Sequence, residues 1–168
     1  MKILVTLGTQ EQSFKRLLDY IENSKFNAEM LVQAGHTKYN SKKMKIFDFI
    51  DYEKMNKYLD DADLIITHGG TGSIITPLKK GKKIIACARL SKYEEHVDDH
   101  QTEIVDVFSK EGYILKLDEK TSLEKLIKLS KNFKPKVFVS NTDNFLDKLE
   151  KEIMMEGWDK YFLPTMML

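Results

Sequence analysis

The sequence predicts an α/β domain with a doubly wound parallel sheet. Three observations carry that expectation. Short β-branched runs alternate with longer amphipathic stretches, several runs are apolar throughout, and the chemically interesting residues fall just after the runs. Strands apolar on both faces belong to a sheet covered on both sides, and helices between them make it parallel. Ligands of such sheets bind outside the carboxyl ends of the strands.

Ile3 to Leu7 reads as a buried strand ending at Gly8. Phe14, Leu17, Leu18 and Ile21 recur at the three- and four-residue spacing of one helix face. Met30 to Gln33 forms a second strand closed by Gly35, and the polar stretch His36 to Lys43 is a loop. Lys45 to Ile50 is a third strand, and Met55, Tyr58 and Leu59 mark a short helix. Leu64 to Thr67 is a strand running into His68-Gly69-Gly70-Thr71-Gly72-Ser73. A helix to about Lys80, a strand Lys83 to Ala88 and a polar loop follow. Next come a helix from about Asp98 to Lys110, a strand Tyr113 to Lys116, and helical patterns over 122–130 and 142–155. Residues 1–150 read as the domain and 151–168 as an apolar tail.

Of 168 residues, 42% are hydrophobic and 32% charged, a balance that excludes a disordered chain. With 27 Lys+Arg against 26 Asp+Glu, no global field favours nucleic acid or an acidic membrane. The single Cys87 excludes an internal disulfide and a cysteine-rich zinc cluster. No apolar run reaches the roughly 20 residues of a membrane span, and the opening run is short for a signal peptide. The expectation is a soluble cytoplasmic protein.

The 68–73 cluster is the strongest local signal. Glycines permit a sharp turn and close approach of backbone to ligand, and the following helix start offers free N–H groups to a phosphate. Thr71 and Ser73 add hydroxyls. It is neither a Walker A loop nor the usual dinucleotide fingerprint, since both spacings are absent. A tight strand-to-helix turn without a ligand explains the glycines equally; the hydroxyls and the position favour phosphate. The second cluster, Arg89 to Gln101, sets His96 and His100 among four carboxylates, without the His-Glu-x-x-His order of zinc hydrolases. It reads as a solvated loop leading into a helix capped by Asp98 or Asp99, or as a place where His100 and Gln101 meet a polyhydroxylated ligand. The loop alone does not choose.

Together the clusters resemble the C-terminal, sugar-nucleotide-binding domain of glycosyltransferase family 28, one Rossmann-like half of a GT-B fold. Asp48-Phe49-Ile50, Ala62 to Ile66, His68 to Ser73, Gly81 to Ile85 and Asp99-His100-Gln101 before Gly112 carry the likeness, over roughly Met1 to Tyr113. Val5 to Thr9, Phe14, Arg16-Leu17-Leu18, Gln33-Ala34-Gly35 and Lys92 to Gln101 are similar to the small donor-binding subunits of two-component transferases. That group includes the N-acetylglucosaminyltransferase of dolichol-linked glycan synthesis and capsule and exopolysaccharide enzymes of bacteria. The 92–101 loop resembles the bacterial capsule group most.

The resemblance implies inverting transfer of a hexose from a UDP-sugar to a lipid-diphosphate-linked acceptor. Thr9, Gly70, Thr71, Gly72 and Ser73 would hold the donor diphosphate, Phe49 and Ile50 the uracil, and His100 and Gln101 the donor sugar. Thr76 stands where many members grip the ribose with a carboxylate, and a hydroxyl bonds less strongly there. No cofactor or obligatory metal is implied. The general base would come from a membrane-anchored acceptor-binding subunit, because the chain has room for one half only. His68 could serve as a base by chemistry or simply pack the turn, and His36 reads as a surface loop residue. Trp158, Tyr161, Phe162 and Leu163 lie in a tail that either folds back or docks on that partner. The protein would then sit at the inner face of the cell membrane through its partner. Competing readings are a homodimeric single-chain transferase, a non-catalytic nucleotide-sugar-binding regulatory module and a flavodoxin-like carrier. For the last, Gly8 to Gln12 is poor in the hydroxyls a flavin phosphate needs.

Overall fold

The computed structural model describes residues 1–139. Six strands run in parallel: β1 (Lys2–Thr6), β2 (Glu29–Gln33), β3 (Met44–Phe47), β4 (Leu64–His68), β5 (Lys83–Cys87) and β6 (Leu115–Leu117). Their spatial order is β3-β2-β1-β4-β5-β6. The chain winds outward from β1 through β2 to β3, returns beside β1 as β4, and winds outward again. The connections therefore diverge between β1 and β4, the switch point at which a doubly wound sheet opens its crevice.

Among the described residues five α-helices cover the sheet: α1 (Lys15–Asn23), α2 (Tyr52–Asp61), α3 (Thr71–Lys79), α4 (His100–Lys110) and α5 (Leu123–Asn132). Strand alternation divides the core. Ile3, Val5 and Leu7 pack with Phe14, Leu17, Leu18 and Ile21 of the α1 side and with Leu126 and Ile127 of α5. Leu4 and Ile65 face the other way, against Leu59, Ile74, Leu78 and Val105 of α2, α3 and α4. Local chemistry sets two of the helix starts. Asp51 Oδ1 accepts from Lys54 N at 2.8 Å to cap α2, and Ser122 Oγ accepts more loosely from Lys125 N at α5.

Three boundaries differ from the sequence expectation. The third strand stops at Phe47, the partner of Gln33; Ala34 and Gly35 N–H still donate to Phe47 O and Asp48 O, and the left-handed Gly35, at φ +58°, then turns the neighbouring chain out of the ladder. Asp48-Phe49-Ile50 is therefore loop. The fourth helix starts at His100, whose N–H donates to Asp98 Oδ1 at 3.0 Å, whereas Asp99 does not cap it: its Oδ1 accepts from Ser91 N at 2.7 Å and closes the preceding loop instead. The last strand lies at Leu115–Leu117 rather than Tyr113 to Lys116. The described unit spans Met1–Phe138. The helix expected over 142–155, the boundary at 150 and the apolar tail lie outside the described residues.

Candidate donor-binding edge

β4 ends in His68, and its imidazole organises the turn that follows. Gly70 N–H donates to Nδ1 at 3.0 Å, and Nε2 lies 2.8 Å from Ser73 Oγ. A Cβ on Gly70 would come within 2.3 Å of the ring's Cε1, and one on Gly8, at φ +79°, within 2.6 Å of Nε2. The imidazole thus sits between two glycines that it requires. Burial, reinforced by the charge of Arg89, pushes its pKa down to about 4, so the ring is neutral at pH 7. Nδ1 is occupied as an acceptor, which puts the proton of the neutral ring on Nε2. No lone pair remains to take an acceptor's proton, and His68 packs the turn rather than acting as a base.

The other glycines divide in the same way. Gly69 N–H donates to Gln101 Oε1 at 2.9 Å, and a Cβ on Gly69 would press on Gln101 Cβ at 2.8 Å. A Cβ on Gly72 would meet nothing within 4 Å among the described residues. Gly69 and Gly70 therefore serve protein packing, and only Gly72 of this turn faces open space. The first intrahelical bond of α3 runs from Ile74 N–H to Gly70 O at 3.2 Å, so the amides of Thr71, Gly72 and Ser73 precede the ladder. The first turn of α3 holds no acidic residue, unlike those of α2, α4 and α5, leaving the positive end of its dipole uncompensated.

A hydrogen-bond network missed at the level of sequence ties the loops of this edge together. Gln33 Nε2 donates to Gly8 O and to Asp48 O, both at 3.1 Å, joining the loops after β1, β2 and β3. Gly35, at φ +58°, lies so close to Gly8 that a Cβ would fall 2.6 Å from its carbonyl oxygen, with Phe49 Cζ at 3.4 Å. Gln101 Oε1 also accepts from Arg89 N at 3.2 Å. Arg89, only 1% exposed, donates to Leu7 O, Gln12 O and Glu95 O at 2.7–3.0 Å and stacks over Phe14. Burial lowers its pKa to about 10, which leaves it cationic at neutral pH. Glu95, 3% exposed, receives Arg16 Nε and Nη2 at 2.9 and 2.7 Å and Leu90 N at 3.0 Å. The two arginines of the sequence hold the 89–101 loop from inside at Arg89 and Glu95, while Ser91 to Glu94 and Val97 to His100 stay exposed, as a solvated loop would have them. Their mixture with exposed carboxylates hid this, although a lone Arg directly after an apolar strand was a usable signal.

The expected site residues all lie at the carboxyl edge of the sheet. Thr9, Thr71, Gly72, Thr76 and His100 are exposed, Ile50, Gly70 and Ser73 half-buried, and Phe49 is 50% exposed with its ring edge-on to His36 at 5.1 Å. Gly70, Ser73 and Gln101 are hydrogen-bonded at this edge, and Phe49 adjoins the network through Asp48. Thr9 adjoins it through Gly8, Thr76 stands one turn along α3, and His100 turns outward to Glu103 at 3.1 Å. Gln101 is 8% exposed, and its carbonyl oxygen is spent on protein amides. A separate concavity of about 680 Å³ lies between α1 and α5, lined by Arg16, Tyr20, Tyr93 and Ser122 and by none of these residues.

The model of the glycosyltransferase family 28 C-terminal domain matches residues 2–154. The chain belongs to glycosyltransferase family 28. UDP-N-acetylglucosamine transferase subunit ALG13 of Saccharomyces cerevisiae is 37% identical over 73 residues, 43% of this chain and 34% of that protein. The Candida albicans protein of the same name is 35% identical over 77 residues, 46% of this chain and 25% of its own length. The match thus spans about a third of the first of these curated relatives and a quarter of the second. Among solved structures, the family-28 chain resembles that of ALG13, with a TM-score of 0.58 and 22% identity over 88% of this chain and 94% of the other. MurG of Acinetobacter baumannii gives a TM-score of 0.51 and 20% identity over 78% of this chain and 40% of that one. At these identities the two structures establish the shared fold.

Proposed function

We propose that this family-28 chain is the donor-binding subunit of an inverting UDP-hexose transferase. The open start of α3 carries the reading: three unladdered amides, an uncompensated dipole, and a Gly72 that leaves space over them. Such a helix end stabilises the negative charge that develops on a departing diphosphate, with no metal required. Thr71 and Ser73 add hydroxyl donors, and Thr9 completes the cradle from the loop after β1. Phe49 offers an exposed aromatic face for the uracil, Ile50 its backbone, and Thr76 a hydroxyl for the ribose. His100 presents its outward ring nitrogen to the sugar, and Gln101 its amide nitrogen. The curated relatives are subunits of a UDP-N-acetylglucosamine transferase, which supports that sugar as donor and a partner subunit.

The acceptor is proposed to be a lipid-linked diphosphate, presented with the general base by a membrane-anchored partner at the cytoplasmic face. With the His68 ring fully engaged, a base supplied from outside this chain is the consistent source. These relatives are eukaryotic, so a setting in bacterial capsule synthesis rests on the 92–101 loop alone. The runner-up, a regulatory module that binds nucleotide sugar without turnover, is favoured by Thr76. Calorimetric titration with UDP, UDP-glucose, UDP-galactose and UDP-N-acetylglucosamine tests the donor assignment. The expected result is micromolar UDP binding with UDP-N-acetylglucosamine preferred, and absence of UDP binding refutes it. Sugar transfer on co-expression with a partner separates the transferase from the module.

A further inference from the structure

His68 has been excluded as a base, yet its geometry gives it a different task. Gly70 N–H enters Nδ1 at 3.0 Å, and Ser73 Oγ stands 2.8 Å from Nε2. A neutral imidazole has one donor and one acceptor, so the backbone bond at Nδ1 leaves Nε2–H as the donor to Ser73. The serine oxygen must then accept that bond, and its own proton is turned away from the ring. Ser73 lies in the first turn of α3, the end where the dipole is positive. A serine free to rotate could instead donate its proton to the ring or to a backbone carbonyl of the helix.

We propose that His68 is a positioning residue, fixed as the Nε2–H tautomer by the Gly70 amide, which aims the Ser73 hydroxyl proton at the anion bound over α3. The inference rests on the donor-diphosphate reading for the identity of that anion. The ring's surroundings suit the task. Gly8 and Gly70 clamp its two sides, and Arg89 and His96 are the titratable groups whose charge it feels. Burial first, and then these charges, disfavour a second proton on the ring, so the switch that would reverse the Ser73 bond stays closed through the neutral range. The alternative, a neutral ring protonated on Nδ1, would set two hydrogens against each other at Gly70.

Two measurements on the full chain test this. Long-range proton–nitrogen correlation NMR on nitrogen-15-labelled protein reads the tautomer directly. The expected result is an Nε2–H ring whose shifts stay constant from pH 8 to 5.5. An Nδ1–H ring, or a ring that titrates near pH 6.5, overturns the proposal even without any ligand. The second measurement is UDP affinity of His68→Phe, Ser73→Ala and the double variant. Each single change is expected to weaken binding about tenfold, the scale of one hydrogen bond to a charged group, and the double variant no further. Losses that multiply mean the two residues act separately, and the proposal fails. Failure of the wild-type protein to bind UDP removes the donor reading and with it the assigned anion, whereas the tautomer experiment fails or succeeds independently of that.

Discussion

Two glycines two residues apart should respond to the same substitution in opposite ways. A methyl on Gly72 meets nothing within 4 Å among the described residues, and the residue lies in the first turn of α3. Replacing Gly by Ala in a helix favours folding by up to about 1 kcal/mol, less in a first turn. For a chain of this size that raises Tm by at most about 4 °C. A methyl on Gly70 would stand 2.3 Å from the His68 ring, well inside contact distance, and forced overpacking costs about 1–3 kcal/mol. Gly70→Ala should therefore melt several degrees lower than the wild type and Gly72→Ala no lower. Binding separates them further. In Gly72→Leu the larger side chain occupies the space over the Thr71, Gly72 and Ser73 amides, so UDP affinity should fall at least about tenfold while the fold survives. Thermal melts and calorimetric titration of the three variants supply the numbers. Wild-type UDP affinity in a folded Gly72→Leu protein would refute the assignment of this helix end to the diphosphate.

Glu95→Ala strands the buried end of Arg16 and the Leu90 amide, and should destabilise the protein by about 3 kcal/mol. Lys80→Ala, which breaks an exposed pair with Asp60, should change chemical denaturation by less than about 1 kcal/mol. Gln101→Ala leaves the amides of Gly69 and Arg89 without their acceptor and should lower both Tm and donor affinity, whereas His100→Ala should change only the preference among UDP-sugars. The buried His68, at about 4 when folded against roughly 6.5 when unfolded, stays unprotonated while the unfolded chain takes up a proton. Its contribution is whole above pH 6.5 and falls as pH drops towards 4, by about 2 kcal/mol at pH 5; urea titrations should show that slope and its loss in His68→Phe. Cys87, buried, with its thiol pushed up by burial to about 11, should react with a disulfide reagent at pH 7 only after unfolding; prompt reaction of the native protein contradicts the packing.

The α/β alternation, the apolar strands and the order of the motifs were legible because each is written locally, in period and in turn residues. From them followed the parallel sheet and the placement of Phe49, Thr71 to Ser73 and His100 at its carboxyl edge. Local sequence also carried the resemblance that led to family 28. What it did not carry is which atom each polar group spends on the protein. Gly69, Gly70 and Gly72 are equivalent as letters, yet the first two make room for Gln101 and His68 and only the third leaves room for a ligand. Gln101 reads as a sugar contact, and its carbonyl is a buried tie between two loops. Arg89 and Glu95 read as surface charge and lie inside, because Leu7, Gln12 and Arg16, some eighty residues earlier in the chain, arrive beside them. Period and turn chemistry act over a few residues, so the sequence alone determined the elements and their order. Hydrogen bonds between loops that follow different strands depend on the sheet's winding, and only the tertiary structure decided them.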